Sequence, residues 1–131
     1  MICCVIVPGS TEAGMLDLKE ISLKEIERIL GGEFDIFQVP GLKEKNIDVF
    51  ALKEVDNHTS PSIVVVNETM KPPTISDAIV GKAVLLGVDK DNNTIPLSNE
   101  QMEYLTTCNE FMSVGTLGGK IERAVLAFRA K

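Results

Sequence analysis

Ser62-Ile-Val-Val-Val-Asn67 is the stretch that most limits what this chain can become, because four β-branched apolar residues follow one another between two polar ones. Such side chains are stiff in a helix and pack well on a pleated surface. An unbroken apolar run also places apolar groups on both faces of a strand. The segment therefore predicts a central strand. Ile2 to Val7, closed by the turn-forming Pro8-Gly9, reads as a second buried strand, and Lys82-Ala-Val-Leu-Leu-Gly-Val-Asp89 as a third apolar run.

Helices announce themselves by their caps. Ser22 and Glu25 have the spacing at which a serine hydroxyl and a glutamate each satisfy a helix-end amide, and Leu23, Ile26, Ile29 and Leu30 then recur at three- and four-residue spacing. Gly31-Gly32 supplies a residue able to take positive φ past the end. Ser98 and Gln101 form a second capping box, with Met102, Leu105 and Cys108 or Asn109 leading toward Phe111 and Met112. Before the first helix the chain reads as a loop rich in small residues. Glu33 to Val39 and Ile47 to Val55 read as a hairpin across the charged turn Leu42 to Asn46, closed by the loop Asp56 to Pro61. Lys71-Pro72-Pro73 is expected to cross the surface in extended form. Asp89 to Asn93 is a polar turn before the short Thr94 to Leu97, where Pro96 marks an edge.

From Gly118 to Lys131 a helix is favoured on the stripe Ile121, Val125 and Phe128, with a strand over Val125 to Phe128 as the alternative. The sum is an α+β chain forming a single compact domain over residues 1–131, with a mixed or mostly antiparallel sheet and two to three helices.

Composition bounds the function. A chain of 131 residues with 44% apolar and 24% charged residues can bury one core without staples. Its formal charge of -6 repels phosphates, and Lys43 and Lys45 are its densest basic spot, so direct nucleic-acid binding is not expected. Three cysteines, an odd number, favour a reducing compartment and a cytoplasmic location. The opening apolar run is too short, and lacks the basic flank, for a signal peptide or a membrane span, so no membrane partner is expected.

Four candidate chemistries follow from the residues. Asp89-x-Asp91-x-Asn93, with Glu100 at the twelfth position, has the spacing of a calcium loop, but Thr94 stands where the loop turns on glycine and a strand precedes it. A hairpin turn and a helix cap account for the same residues, so no metal and no cofactor is expected. A nucleophilic thiol needs a base, and His58 is the sole histidine, which leaves Cys4 or Cys108 with His58 as the basis of a small hydrolase or transferase. Cys3 and Cys4 point to opposite faces of their strand. Gly31-Gly32 and Gly118-Gly119 lack the frame of a phosphate loop. The segment between the strands, with Asn67, Glu68, Lys71, Thr74 and Asp77, supplies polar groups for the rim of a ligand pocket.

Several of these segments together resemble a known pattern. The strand ending Val7-Pro8-Gly9, the helix closing as Ile29-Leu-Gly-Gly-Glu-Phe34, and the strand Ile63 to Val66 running into Asn67-Glu68 are followed by Ile79-Val-Gly81 and Ala83-Val-Leu-Leu-Gly87. Pro96-Leu-Ser98 with Glu100-Gln101 then opens a helix. In this order they resemble a family of small uncharacterised proteins, a domain of unknown function common in bacteriophages and plasmids of Gram-positive bacteria. The likeness runs from about Ile2 to Leu105. Relative to that pattern the chain carries an extra hairpin at about 42–60 and a C-terminal extension after Phe111, about 113–131, and it has Pro72-Pro-Thr-Ile75 where the family often shows Leu-Pro-x-Asn. The resemblance implies an accessory protein of a mobile element and transfers no catalytic residue. The leading expectation is a non-enzymatic binding protein that captures a host protein or a small molecule. A small cysteine- or carboxylate-dependent enzyme is one alternative. The other is an oligomeric structural or regulatory subunit joined to a second copy along Ile121, Val125 and Phe128.

Overall fold

Ala83 to Val88 is apolar throughout and five of its six residues are buried. A strand of that kind needs hydrogen-bonding neighbours on both sides and a covering layer on both faces. The computed structural model supplies them. It describes residues 1–10, 13–56, 58–69, 71–107, 111–117 and 120–127, with the main chain alone over 111–117 and 120–123. In chain order the elements are β1 (Ile2–Ile6), β2 (Gly14–Asp17), α1 (Leu23–Leu30), β3 (Phe34–Phe37), a 3₁₀ turn (Lys43–Lys45), β4 (Ile47–Leu52), β5 (Pro61–Asn67), β6 (Thr74–Val80), β7 (Ala83–Val88), β8 (Thr94–Ile95), α2 (Asn99–Thr107), β9 (Phe111–Leu117) and β10 (Lys120–Leu126). The first sheet runs β2-β1-β7-β4-β3, with β8 also paired to β7, and the second runs β6-β5-β10-β9. Every described pairing is antiparallel.

The two faces of the first sheet have different covers. Cys3, Phe50, Val84 and Leu86 look toward α1, which lays Ile26 and Leu30 on them, and Leu18 closes the same cluster. Phe34 meets Phe50 edge to face, ring centroids 5.4 Å apart at 68°, a geometry that adds to the area buried. On the opposite face Cys4, Ile6, Ile47, Val49, Ala51, Ala83 and Leu85 share one core with Ile63, Val65, Ile79, Ala124 and Leu126 of the second sheet. Each fully buried Leu, Ile or Phe of these layers contributes roughly 1.5–3 kcal/mol. The molecule is thus a helix, a sheet and a second sheet in three layers.

Both helices begin as their caps dictate. The Ser22 hydroxyl accepts from the Glu25 amide (3.2 Å), and Gly31 ends α1 at φ +89° with its N–H on the Glu27 carbonyl. In α2 the box is reciprocal: the Gln101 N–H donates to Ser98 Oγ (3.1 Å) and the Ser98 N–H to Gln101 Oε1 (2.9 Å). The same Gln101 amide nitrogen donates to the Lys45 and Asn46 carbonyls, at 2.9 and 3.0 Å, and so ties α2 to the entry of β4. Leu105 carries the packing of α2 into the shared core.

Several sequence expectations need correction. There are two stacked sheets, not one, and two α-helices with a 3₁₀ turn. The loop before α1 contains β2, and Thr74–Val80 is a strand that alternation did not announce, because its first four residues are exposed. Lys71 to Pro73, expected to cross the surface in extended form, lies between β5 and β6 of one hairpin. Helix α2 stops at Thr107, and Phe111–Leu117 is a strand. The C-terminal segment is strand β10, not the favoured helix: Ala124 and Leu126 enter the core, while Val125, on the other face, is also buried. Ile121 and Val125 of the expected helical stripe therefore lie on a strand, and Phe128 lies outside the described residues. Leu23, assigned to the buried stripe of α1, is 70% exposed at the first helical position.

Gly87 shows how tightly α2 is drawn onto the sheet. A Cβ there would stand 3.0 Å from Gln101 Oε1, 3.1 Å from the Pro96 carbonyl oxygen and 3.2 Å from the Ile95 side chain. The backbone carbonyl cannot swing aside as a side chain can. Gly87→Ala should therefore cost about 1–3 kcal/mol in urea unfolding, the usual penalty of overpacking. An unchanged midpoint would show that β8 and α2 are not seated as described.

Candidate functional site

Helix α1 covers the centre of the first sheet and leaves its β2 side open. Two adjoining depressions of about 560 and 520 Å³ lie in the resulting groove and share Leu16 and Arg28. The larger has a floor of Val5, Val7 and Leu16, a wall of Arg28 and Ile29, and Lys82 at its end. The smaller runs on past Asp17, Leu18, Lys19 and Glu20 under Glu25. Val7 and Leu16 are 49% and 39% exposed, apolar surface that no described element covers.

Charge in the groove is polarised along its length. Lys82 Nζ donates to the Ile29 carbonyl (3.1 Å), in the last turn of α1, where a cation meets the negative end of the helix dipole. Arg28 Nε donates to Glu25 Oε1 (3.0 Å), and a second guanidinium nitrogen reaches the same oxygen. That hydrogen bond holds the Glu25 carboxyl below its ordinary value and raises Arg28. One end thus carries Lys82 and the other Glu20 with Lys19, while Arg28 at the waist is paired with Glu25, and Asp17 with the Met1 ammonium (2.8 Å).

The groove lies alongside a free sheet edge. Ile2 to Val5 stand opposite Asp17 to Gly14, and the Leu18 N–H donates to the Met1 carbonyl (2.7 Å). Hydrogen-bonded and non-hydrogen-bonded pairs alternate in an antiparallel ladder, so Leu16 and Leu18 turn their main-chain groups toward β1. Met15 and Asp17 turn theirs outward, where the first sheet ends.

None of the candidate site residues read from the sequence lines this groove. Asn67 ends β5 opposite Thr74, which begins β6, and its Oδ1 accepts from the Thr69 amide (3.0 Å) in the turn between them. Glu68 and Lys71 belong to that turn, and Asp77 sits on β6, exposed, accepting from the Ala78 amide (2.8 Å). Asn67, Glu68, Lys71 and Thr74 thus lie at the β5–β6 hairpin tip, whereas Asp77 stands further along β6 opposite Val65. Asp89 Oδ1 accepts from the Asp91 and Asn93 amides at 2.9 and 2.8 Å, bonds that lower its carboxyl, so it braces the β7–β8 turn; Glu100 lies in the first turn of α2. Among the described residues, no three His, Cys, Asp or Glu side chains are grouped to hold a metal ion. His58 is exposed and its own amide donates to Asp56 Oδ1 (2.8 Å). Cys108 lies outside the described residues.

Both N-terminal thiols are sealed. Cys3 faces α1 and Cys4 faces the second sheet, each fully buried. Burial raises both, and pushes Cys4 up from 9.0 to about 12. A nucleophile must be ionised and reachable, and Cys4 in this setting is neither at neutral pH.

A family described as Domain of unknown function (DUF3846) matches residues 3–110. The chain belongs to this family. No curated protein and no solved structure matches the chain. The matched stretch holds β1 through α2 and every residue of the groove, whereas β9 and β10 follow it in sequence. No helix among the described residues is long and apolar enough to cross a membrane.

The thiols give a test of the layering. With Cys4 raised in the folded state, the folded protein holds its thiol proton where the unfolded chain has lost it. The stabilisation is complete below pH 9, falls as pH rises, and is gone by about pH 12. Unfolding free energy should therefore drop between pH 9 and 12 more steeply in the wild type than in Cys4→Ala, by about 1.4 kcal/mol per pH unit. Equal slopes would place Cys4 in contact with water.

Proposed function

We propose that this chain is a stoichiometric binding protein whose ligand occupies the groove between α1 and β2. The supporting observation is the exposed apolar floor of Val7 and Leu16, bordered by Lys82 and by the Arg28–Glu25 ion pair. Ligand sites are lined mostly by apolar groups with a few polar ones, and this open groove shares that lining. The family resemblance supports an accessory protein of a bacteriophage or plasmid, acting in the cytoplasm on a host protein or a small molecule. The thiol-enzyme alternative loses its support at Cys4, which is buried in the core between the two sheets.

Leu16 lies at the waist of the groove and takes no part in either buried cluster, so Leu16→Arg should block the site while leaving stability within about 0.5 kcal/mol. Native mass spectrometry of the protein purified from its host should show a bound species on the wild type that is absent from Leu16→Arg. Equal loads on the two proteins, or none on either, would contradict the proposal.

A further inference from the structure

The groove differs from a simple pocket in one respect: it is bordered by a row of main-chain groups that have no partner among the described residues. Met15 and Asp17 each direct an N–H and a C=O away from β1, about 7 Å apart along the strand. An exposed edge of this kind is a template for another strand, and native edges are usually blunted. The opposite sheet illustrates the blunting. Its edge strand β6 departs from regular register at two places, and in each a serine hydroxyl bonds a carbonyl across the pair, Ser62 to Ile79 (3.4 Å) and Ser76 to Val65 (3.2 Å). Strand β2 pairs in regular register over its whole length and has no such irregularity.

Resting on the groove as the binding site, we infer that its occupant is an extended segment of a partner protein that adds to β2 as an antiparallel strand. Main-chain hydrogen bonds to Met15 and Asp17 would hold it, and alternate side chains would enter the groove over Leu16. Charge sets its direction. A strand antiparallel to β2 runs from the Asp17 end to the Gly14 end, so its N-terminal part passes Glu20 and its C-terminal part approaches Lys82, while the Asp17 carboxylate is already held by the Met1 ammonium (2.8 Å). The complementary segment is basic at its start, apolar or β-branched in its middle, and acidic at its end. A small molecule would satisfy the apolar floor but leave the row of edge groups without a role.

Two capped heptapeptides test this against the ¹⁵N-labelled chain by NMR: Lys-Val-Thr-Val-Thr-Val-Glu and its reverse. The forward peptide should shift the Met15 and Asp17 amides and bind at least about fivefold tighter than the reverse. Asp17→Pro, which deletes one outward N–H, should weaken binding about tenfold, whereas Asp17→Asn, which keeps it, should stay within about twofold. Lys82→Gln leaves the edge intact and should weaken only the forward peptide. Equal affinity of both peptides overturns the direction. Binding that Asp17→Pro leaves unchanged overturns strand addition but keeps the groove as a site. No binding by either peptide, with the native load still lost in Leu16→Arg, overturns this inference alone. Amide shifts at Met15 and Asp17 that grow with protein concentration in the absence of peptide would assign the edge to a second copy of the chain.

Discussion

Strand β7 governs the architecture because it has no polar face. Val84 and Leu86 demand cover on one side, Ala83 and Leu85 on the other, and its main chain demands a strand along each flank. α1 answers the first demand, the second sheet the second, and β1 and β4 the third. The helix is short, eight residues, so it can roof only the middle of the sheet. The open flank at β2 is a consequence of that arithmetic of cover. The groove exists because the sheet is wider than the helix laid on it.

The same reasoning explains the C-terminal hairpin. Strand β5 is apolar on both faces, like β7, and needs a neighbour on each flank. β6 supplies one and β10 the other, bringing Ala124 and Leu126 into the core that Cys4, Ile6 and Leu85 also share. Of the strands after the family match, β10 is thus an inner strand of the second sheet and β9 its edge.

What the sequence disclosed follows from how local each signal is. Caps are read within four residues, and both Ser22 and Ser98 cap helices where expected. Apolar runs such as Ile63 to Val66 and Ala83 to Leu86 gave strands buried on both faces. Gly14–Asp17 stayed hidden because four residues are too few for a period, and its identity as a strand depends on β1 standing beside it. Ile121, Val125 and Phe128 fit a helical stripe as well as a strand, and only the open flank of β5 decides between them. As a site the groove was not legible: Leu16 and Arg28 come from β2 and α1, Lys82 from the turn before β7, and none carries a motif. The polar residues that did attract notice, Asn67 and Asp89 above all, hydrogen-bond to the amides of turns. Turn chemistry and ligand chemistry use the same side chains.

Backbone amide hydrogen exchange in the native protein tests the central claim most directly, because that claim is an open edge beside a well-paired strand. Leu16 and Leu18, bonded to β1, should exchange slowly, whereas Met15 and Asp17 between and beside them should exchange orders of magnitude faster, at rates near those of unstructured chain. Protection of Met15 and Asp17 equal to that of Leu16 would mean that the edge is already paired, and would contradict the account.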